Sequence, residues 1–256
     1  MNKKTPITEI NGLQEDGIIQ AKDALKDVEK LPSHITTSVI FFDHHPHPDL
    51  LEKSTVLFNF IGASTVVPQY VYDNQIVLAF SPLGGPAAGG LIEELIAFGI
   101  KRFIACGSSG LIGDIDASNF LLVNQAIRDE GLSYHYLEPS LYVATDTNLT
   151  QHIEQELRKR QLQYIEGITW TTDAFYRETP SRMEIRQEQG AVAVEMECAS
   201  MAAVCRYYQL PFAQVLYFSD IVKQQGWSGF RQDRQMIKDT INQIIIDIAI
   251  ALSQEE

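Results

Sequence analysis

Apolar and polar positions alternate along this chain in short bursts, and the period of each burst separates strands from helices. Residues 1 to 37 are polar and mixed, with few apolar anchors. They read as an N-terminal extension that packs on the body or onto a partner subunit. The apolar run Ser38 to Phe42 predicts a strand, as do Thr55 to Phe60 and Val66 to Tyr72. Asn74 marks a turn before another strand, Gln75 to Phe80, so that the last two form a hairpin. Gly84 to Gly90 reads as a small-residue loop, and Leu91 to Phe98 as a helix with Gly99 as its C-terminal stop. Lys101 to Cys106 predicts a strand that ends in the loop Gly-Ser-Ser-Gly at 107 to 110. Phe120 to Ile127 suits helix or strand by period alone. Beyond it, Leu149 to Arg160 is helical, capped by Thr147 or Asn148. Ile165 to Thr171 predicts a strand, Met196 to Tyr207 a helix, Phe212 to Phe218 a strand, and Asp233 to Leu252 a long final helix. Strands alternating with helices predict an α/β fold with a mixed sheet. No linker composition divides residues 38 to 256, which read as one domain behind the extension.

At 256 residues the chain is at the upper end for one domain around one core. The net charge of −13 argues against general binding to nucleic acid, which calls for a basic face. A small anion held by a local cluster of donors stays open. The cysteines Cys106, Cys198 and Cys205 are odd in number and lack metal-type spacing, so they read as reduced, buried apolar residues. No apolar run approaches a membrane span, and the first residues lack the apolar core of a signal peptide. The expectation is a cytoplasmic protein with neither membrane nor nucleic acid as partner.

Candidate chemistry concentrates in a few segments. Glu195, Met196 and Glu197 open an apolar helical pattern. The helix dipole favours an acid there, but a Glu-Met-Glu triplet beside an Ala-rich face also suits gripping hydroxyls. Ser219 and Asp220 close the next strand, at the carboxyl end where open α/β sheets bind ligands. Ser-Pro-Leu-Gly-Gly-Pro-Ala-Ala-Gly-Gly at 81 to 90 and Ile-Ala-Cys-Gly-Ser-Ser-Gly at 104 to 110 offer backbone N–H groups and hydroxyls to a bound group. Thr-Thr-Asp-Ala-Phe-Tyr at 171 to 176 presents Phe175, either a core ring or a stacking platform. Residues 130 to 139 carry His135, which reads as a structural or rim residue.

These segments resemble the nucleoside phosphorylase family, which includes uridine phosphorylases, hexameric purine nucleoside phosphorylases and methylthioadenosine nucleosidases. The resemblance runs over residues 38 to 252 and is closest at 80 to 112 and 190 to 220. It implies a three-layer α/β/α sandwich with a mixed, partly barrel-like central sheet, and makes Phe120 to Ile127 a strand. It implies that Glu197 binds ribose hydroxyls and that Met196 packs on the sugar. Phe175 would stack on the base, a contact worth about 1–3 kcal/mol by analogy with nucleic-acid stacking. Asp220 would donate a proton to N7 of a purine as the glycosidic bond breaks, which calls for a raised pKa. Ser108, then Ser109, would contact phosphate or sugar, and Gly85 of the Gly-Gly-Pro loop joins the substrate-binding set. Asp173 would cap or brace its loop. Arg231 and Arg234 stand near the place of an Arg that assists the Asp in purine enzymes, or are solvated helix charges.

The chain departs from the family pattern at phosphate. Phosphorylases carry one Arg in a Gly-Asp-Pro-x-Arg loop after the first strand and another two residues before the Gly-Thr-Thr-Gly loop. Here those places hold Asp-His-His-Pro-His-Pro-Asp, residues 43 to 49, and Ala105. His44, His45 and His47 could supply the charge instead, water could replace phosphate, or the site could bind a nucleoside without turnover. The Ser-Asp-Ile-Val-Lys-Gln-Gln stretch at 219 to 225 is closer to nucleosidases, whose Glu-rich loop after the first strand is matched only by Asp43 and Asp49. The same histidines suggest a metal, but neighbouring ligands in one loop need a remote partner to close a site. Neither metal nor cofactor is expected, with phosphate as co-substrate. Residues 177 to 186 lack the Gln and Arg spacing with which uridine phosphorylases read their base. The expected function is phosphorolytic cleavage of a purine nucleoside by a homo-oligomer, dimer or hexamer. A hydrolytic nucleosidase and a non-catalytic nucleoside-binding protein are the alternatives.

Overall fold

A computed structural model describes residues 6–26, 28–42, 46–62, 65–223, 226–229 and 234–254. Its strands are β1 (Thr37–Phe41), β2 (Ser54–Ile61), β3 (Val66–Tyr72), β4 (Ile76–Phe80), β5 (Arg102–Leu111), β6 (Phe120–Asp129), β7 (Tyr142–Ala144), β8 (Tyr164–Thr172), β9 (Ala191–Glu195), β10 (Phe212–Lys223) and β11 (Gly226–Gly229). The helices are α1 (Ala21–Ala24), α2 (Pro48–Leu51), α3 (Gly85–Phe98), α4 (Thr147–Lys159), α5 (Pro180–Glu188), α6 (Cys198–Tyr207) and α7 (Arg234–Ser253).

All eleven strands join one mixed sheet in the order β11-β10-β6-β8-β9-β5-β1-β4-β3-β2, with β7 on β6. A further pairing of β10 with β5 closes β5, β10, β6, β8 and β9 into a ring. The two-residue period of the strands divides the core. Ile40, Phe103 and Phe212 point to the side covered by α3 and α6. Their neighbours Val39, Ile104 and Ala213 point to the side covered by α4 and α7. This is the expected three-layer arrangement with a partly barrel-like sheet. Ahead of β1, Leu25 and Leu31 rest against the first of these clusters. Among the described residues no helix is long and apolar enough to cross a membrane.

Local signals explain many boundaries. The β3–β4 hairpin turns through Asp73 and Asn74, both at positive φ, the pair that a type I′ turn requires. Gly99 ends α3 in the left-handed region at φ 105°, where glycine avoids the Cβ penalty.

Four expectations are corrected. Gly85 to Gly90 forms the start of α3 rather than a loop, because small residues let the helix approach its neighbours: a Cβ on Gly85 would collide with Ser200 Oγ, and one on Gly89 with Leu132. The Gly-Ser-Ser-Gly stretch continues β5, held by β10. β10 runs on past Asp220 to Lys223, where β11 extends the pairing. The cap of α4 is Asp146, whose carboxylate accepts the Leu149 N–H at 2.8 Å, and not Thr147 or Asn148. Asp146→Ala should therefore cost about 1 kcal/mol in urea unfolding, the usual worth of such a cap, with Asn148→Ala changing stability by under about 0.5 kcal/mol. Equal losses from the two substitutions would remove the cap assignment.

Candidate functional site

The site is built where β5 changes neighbours. On one edge β5 pairs with β1 as far as Cys106, opposite Phe41, and with β9 only from Gly110, opposite Val194. Between them, no described strand pairs with that edge over residues 107 to 109. Gly107 makes the crossing possible, since a Cβ there would strike the ring of Phe42. A cleft of about 760 Å³ opens at this split, lined by Phe42, Ser108, Ser109 and Gly110 on one side. The ends of β9 and β10, the turn after β8, β11 and Leu83 ahead of α3 supply the remainder.

The Glu-Met-Glu triplet straddles the end of β9 and the start of α6. Glu195 is buried and its carboxylate takes the place of a helix cap: Oε2 accepts the N–H groups of Glu197 at 2.8 Å and Cys198 at 2.7 Å. Oε1 accepts from Thr171 Oγ1 at 2.5 Å and Thr169 Oγ1 at 3.4 Å. Thr171 Oγ1 in turn receives the N–H of Ala199 at 3.0 Å. Glu195 thus ties β8 to α6. Glu197 is also buried, and its Oε1 accepts the Gly84 N–H at 2.7 Å. Burial raises both carboxyl groups. The donors around Glu195 oppose its rise. Glu197, buried and beside the Glu195 carboxylate, is pushed up to about 8. Met196 lies half-buried between the two and lines the cleft.

Asp220 owes its direction to a β-bulge. The register of β10 against β5 shifts between Phe218 and Asp220, so Phe218 packs into the core while Asp220 lines the cleft. Its Oδ1 accepts from Ser219 Oγ at 2.7 Å and its Oδ2 from Trp227 Nε1 on β11 at 2.8 Å.

After β8 a 3-10 turn, Phe175–Arg177, presents aromatic rings to the cleft. Phe175 is 45% exposed, so it is no core ring, and its centroid lies 4.0 Å from that of Tyr176. Asp173 braces this turn through the Gly131 N–H at 2.8 Å. Ser108 is exposed, whereas Ser109 is buried and its hydroxyl has no hydrogen-bond partner among the described residues. Glu178, Trp227 and Gly110 also line the cleft and were not singled out from the sequence. Glu178 lies in the Arg-Glu-Thr-Pro stretch, where the Pro marks a turn but nothing in the sequence shows that it faces the cleft.

Other sequence candidates lie apart. Gly85 opens α3, packed against Ser200, and does not line the cleft; its neighbour Gly84 makes the contact with Glu197. His135 is exposed on the 3-10 turn Leu132–His135. His47 caps α2 and faces a different hollow, with Lys238 and Asp239. Asp43, His44, His45 and Arg231 lie outside the described residues, as does Gln225, and Arg234 opens α7. Among the described residues no group of His, Cys, Asp or Glu is placed to hold a metal. The three cysteines are buried and unpaired. The titratable side chains of the described lining, tyrosine apart, are all acidic: Glu178, Glu195, Glu197 and Asp220.

The charge of Glu195 contributes to the raised pKa of Glu197, so Glu195→Gln should lower the Glu197 midpoint below about 8 in an NMR titration of side-chain carboxyl carbons. A midpoint that stays put would mean that burial alone sets it.

The sequence profile of the phosphorylase superfamily matches residues 49–251. The chain is 23% identical to uridine phosphorylase of Haemophilus influenzae over 131 residues, 51% of this chain and 49% of that protein. It is 26% identical to 5′-methylthioadenosine/S-adenosylhomocysteine nucleosidase of Oceanobacillus iheyensis over 247 residues, 93% of this chain and 96% of that one. The matched stretch thus spans about half of the first relative and nearly all of the second. Among solved structures, purine nucleoside phosphorylase from Toxoplasma gondii in complex with immucillin-H superposes with a TM-score of 0.74 at 18% identity, covering 90% of this chain and 98% of that one. The chain belongs to the phosphorylase superfamily, with uridine and purine phosphorylases and methylthioadenosine nucleosidases among its relatives.

Proposed function

We propose that this protein cleaves the N-glycosidic bond of a purine nucleoside. The observation that carries the reading is that Glu197, Met196, Phe175 and Asp220 line one cleft. Glu197 holds the ribose hydroxyls, Met196 covers the sugar, and the exposed ring of Phe175 stacks on the base. As the bond from C1′ to N9 breaks, its electron pair moves into the imidazole ring and N7 takes a proton from Asp220. Ser219 and Trp227 fix the direction of that carboxyl. General acid help of this kind is worth about 10²–10⁴-fold.

The nucleophile is water: its oxygen bonds to C1′ as the C1′–N9 bond breaks, and the proton it sheds leaves to solvent, from which Asp220 regains the proton given to N7. Among the described residues the lining offers no Lys, Arg or His to pair with a phosphate dianion. One relative that the chain spans nearly end to end is a nucleosidase, and one solved structure that it spans as fully is a phosphorylase. One observation favours phosphate instead: the unpaired edge of β5 at 107 to 109, with the partnerless hydroxyl of Ser109, offers donors to an anion.

Release of free base from a panel of nucleosides, including inosine, adenosine, uridine and 5′-methylthioadenosine, separates these readings. We expect release from purine nucleosides that is unchanged by added phosphate. A requirement for phosphate would establish phosphorolysis, and binding without any release would leave a nucleoside-binding protein. Asp220→Asn should lower kcat by about 10²–10⁴-fold with KM little changed. A variant with undiminished kcat would take the proton transfer away from Asp220.

A further inference from the structure

Glu178 is the carboxyl of the cleft with no structural task. The chain leaves the 3-10 turn Phe175–Arg177 through an inverse γ-turn centred on Glu178, with φ −71°, ψ 72° and a Thr179 N–H bond to Arg177 O at 2.8 Å. Pro180 then starts α5. Both flanks are anchored, so the direction of Glu178 is set by backbone rather than by a side-chain contact. Its carboxyl is half-buried and lines the cleft, yet it makes no hydrogen bond or ion pair among the described residues. Burial, then the neighbouring charge of Asp220, pushes it up to about 7. The contrast with Asp220, which has two donors of its own, is informative. Its oxygens reach solvent, so water serves them until a ligand that brings its own donor takes the place of that water.

We infer that Glu178 is the residue that chooses the base, by accepting a hydrogen bond from an amino group at position 6 of the purine. The inference rests on the nucleoside reading above, which puts Asp220 at N7. The edge that carries N7 also carries the 6-substituent: adenine shows an acceptor and an amine there, whereas guanine and hypoxanthine show two acceptors. A carboxyl beside Asp220, on the turn that holds the stacking ring, meets that substituent. Ionised Glu178 accepts from an amine and repels an oxo group. Protonated, it can donate to the oxo group, so acidification narrows the preference. The other ionisable groups of the described lining are Asp220, which serves both bases alike at N7, and Glu195 and Glu197, assigned to the helix cap and the sugar.

The test is calorimetric binding of free adenine and free hypoxanthine, which bypasses both the sugar and the chemistry, to wild type and Glu178→Gln at pH 8 and pH 6. Because a hydrogen bond to a charged group is worth about ten-fold or more in affinity, wild type should prefer adenine by about ten-fold at pH 8 and by less at pH 6. Glu178→Gln, whose amide can donate and accept, should bring the two bases to within about three-fold at both pH values, with its Tm close to wild type. Equal affinity of wild type for both bases at pH 8, or an unaltered preference in Glu178→Gln, overturns the role of Glu178 and leaves the nucleoside reading intact. If neither base binds wild type, both fall. Discrimination by a protein that releases no base would uphold Glu178 and remove cleavage alone.

Discussion

The site depends on one strand exchanging partners along its length. β5 is held on one edge by β10 throughout, but on the other it leaves β1 at Cys106 and meets β9 at Gly110. The closed ring of strands and the open sheet therefore share β5, and the gap between its two partners is where a ligand can reach backbone. Everything assigned to the cleft lies within a short step of that gap: the end of β9 with its carboxylates, the bulge in β10, and the turn after β8. Of the two glycines at the split, Gly107 is held to its small size by the ring of Phe42, while a Cβ at Gly110 would sit tightly against the methyls of Val194 and Val222.

The polar groups of the cleft fall into two kinds. Glu195 and Asp220 are supplied with donors by the protein itself, and so are fixed in place before any ligand arrives. Glu197, Glu178 and the hydroxyl of Ser109 keep hydrogen-bonding capacity that the described protein atoms do not use up. Groups of the second kind are costly when dry, and a ligand that satisfies them recovers that cost as affinity. The same division explains why two glutamates two residues apart have different tasks. The first caps α6, and the second, tied only to the Gly84 N–H, faces the cleft.

Much of the fold was legible because its strands carry their own signal. Val66 to Tyr72 was delimited by composition alone, and Asn74 marked the turn beside it. Errors came where the deciding contact is remote. Gly-Ser-Ser-Gly has no apolar period, and only pairing with Leu216 to Asp220 makes it a strand. Gly85 to Gly90 has poor helix propensity, yet the fit of Gly85 and Gly89 against Ser200 and Leu132 overrides it. In the site, Glu197, Asp220 and Phe175 stood out through their motifs. Glu178 did not, because an exposed-looking Arg-Glu-Thr-Pro turn reads as ordinary solvated loop until the fold brings it beside Asp220.

The closure of the ring also has a temporal side. Ser109 and Ser219, which meet across the β5–β10 seam, are 110 residues apart in the chain. Pairings of such separation form late and slow the search for the native state. During synthesis β5 can find β1 long before Phe212 has emerged, and until then its other edge stands open, as an edge to which a stray strand can add. The last strands to arrive, β10 and β11, bring Asp220 and Trp227 with them. Completion of the barrel and assembly of the cleft are thus the same event, and no early folding intermediate can hold a working site.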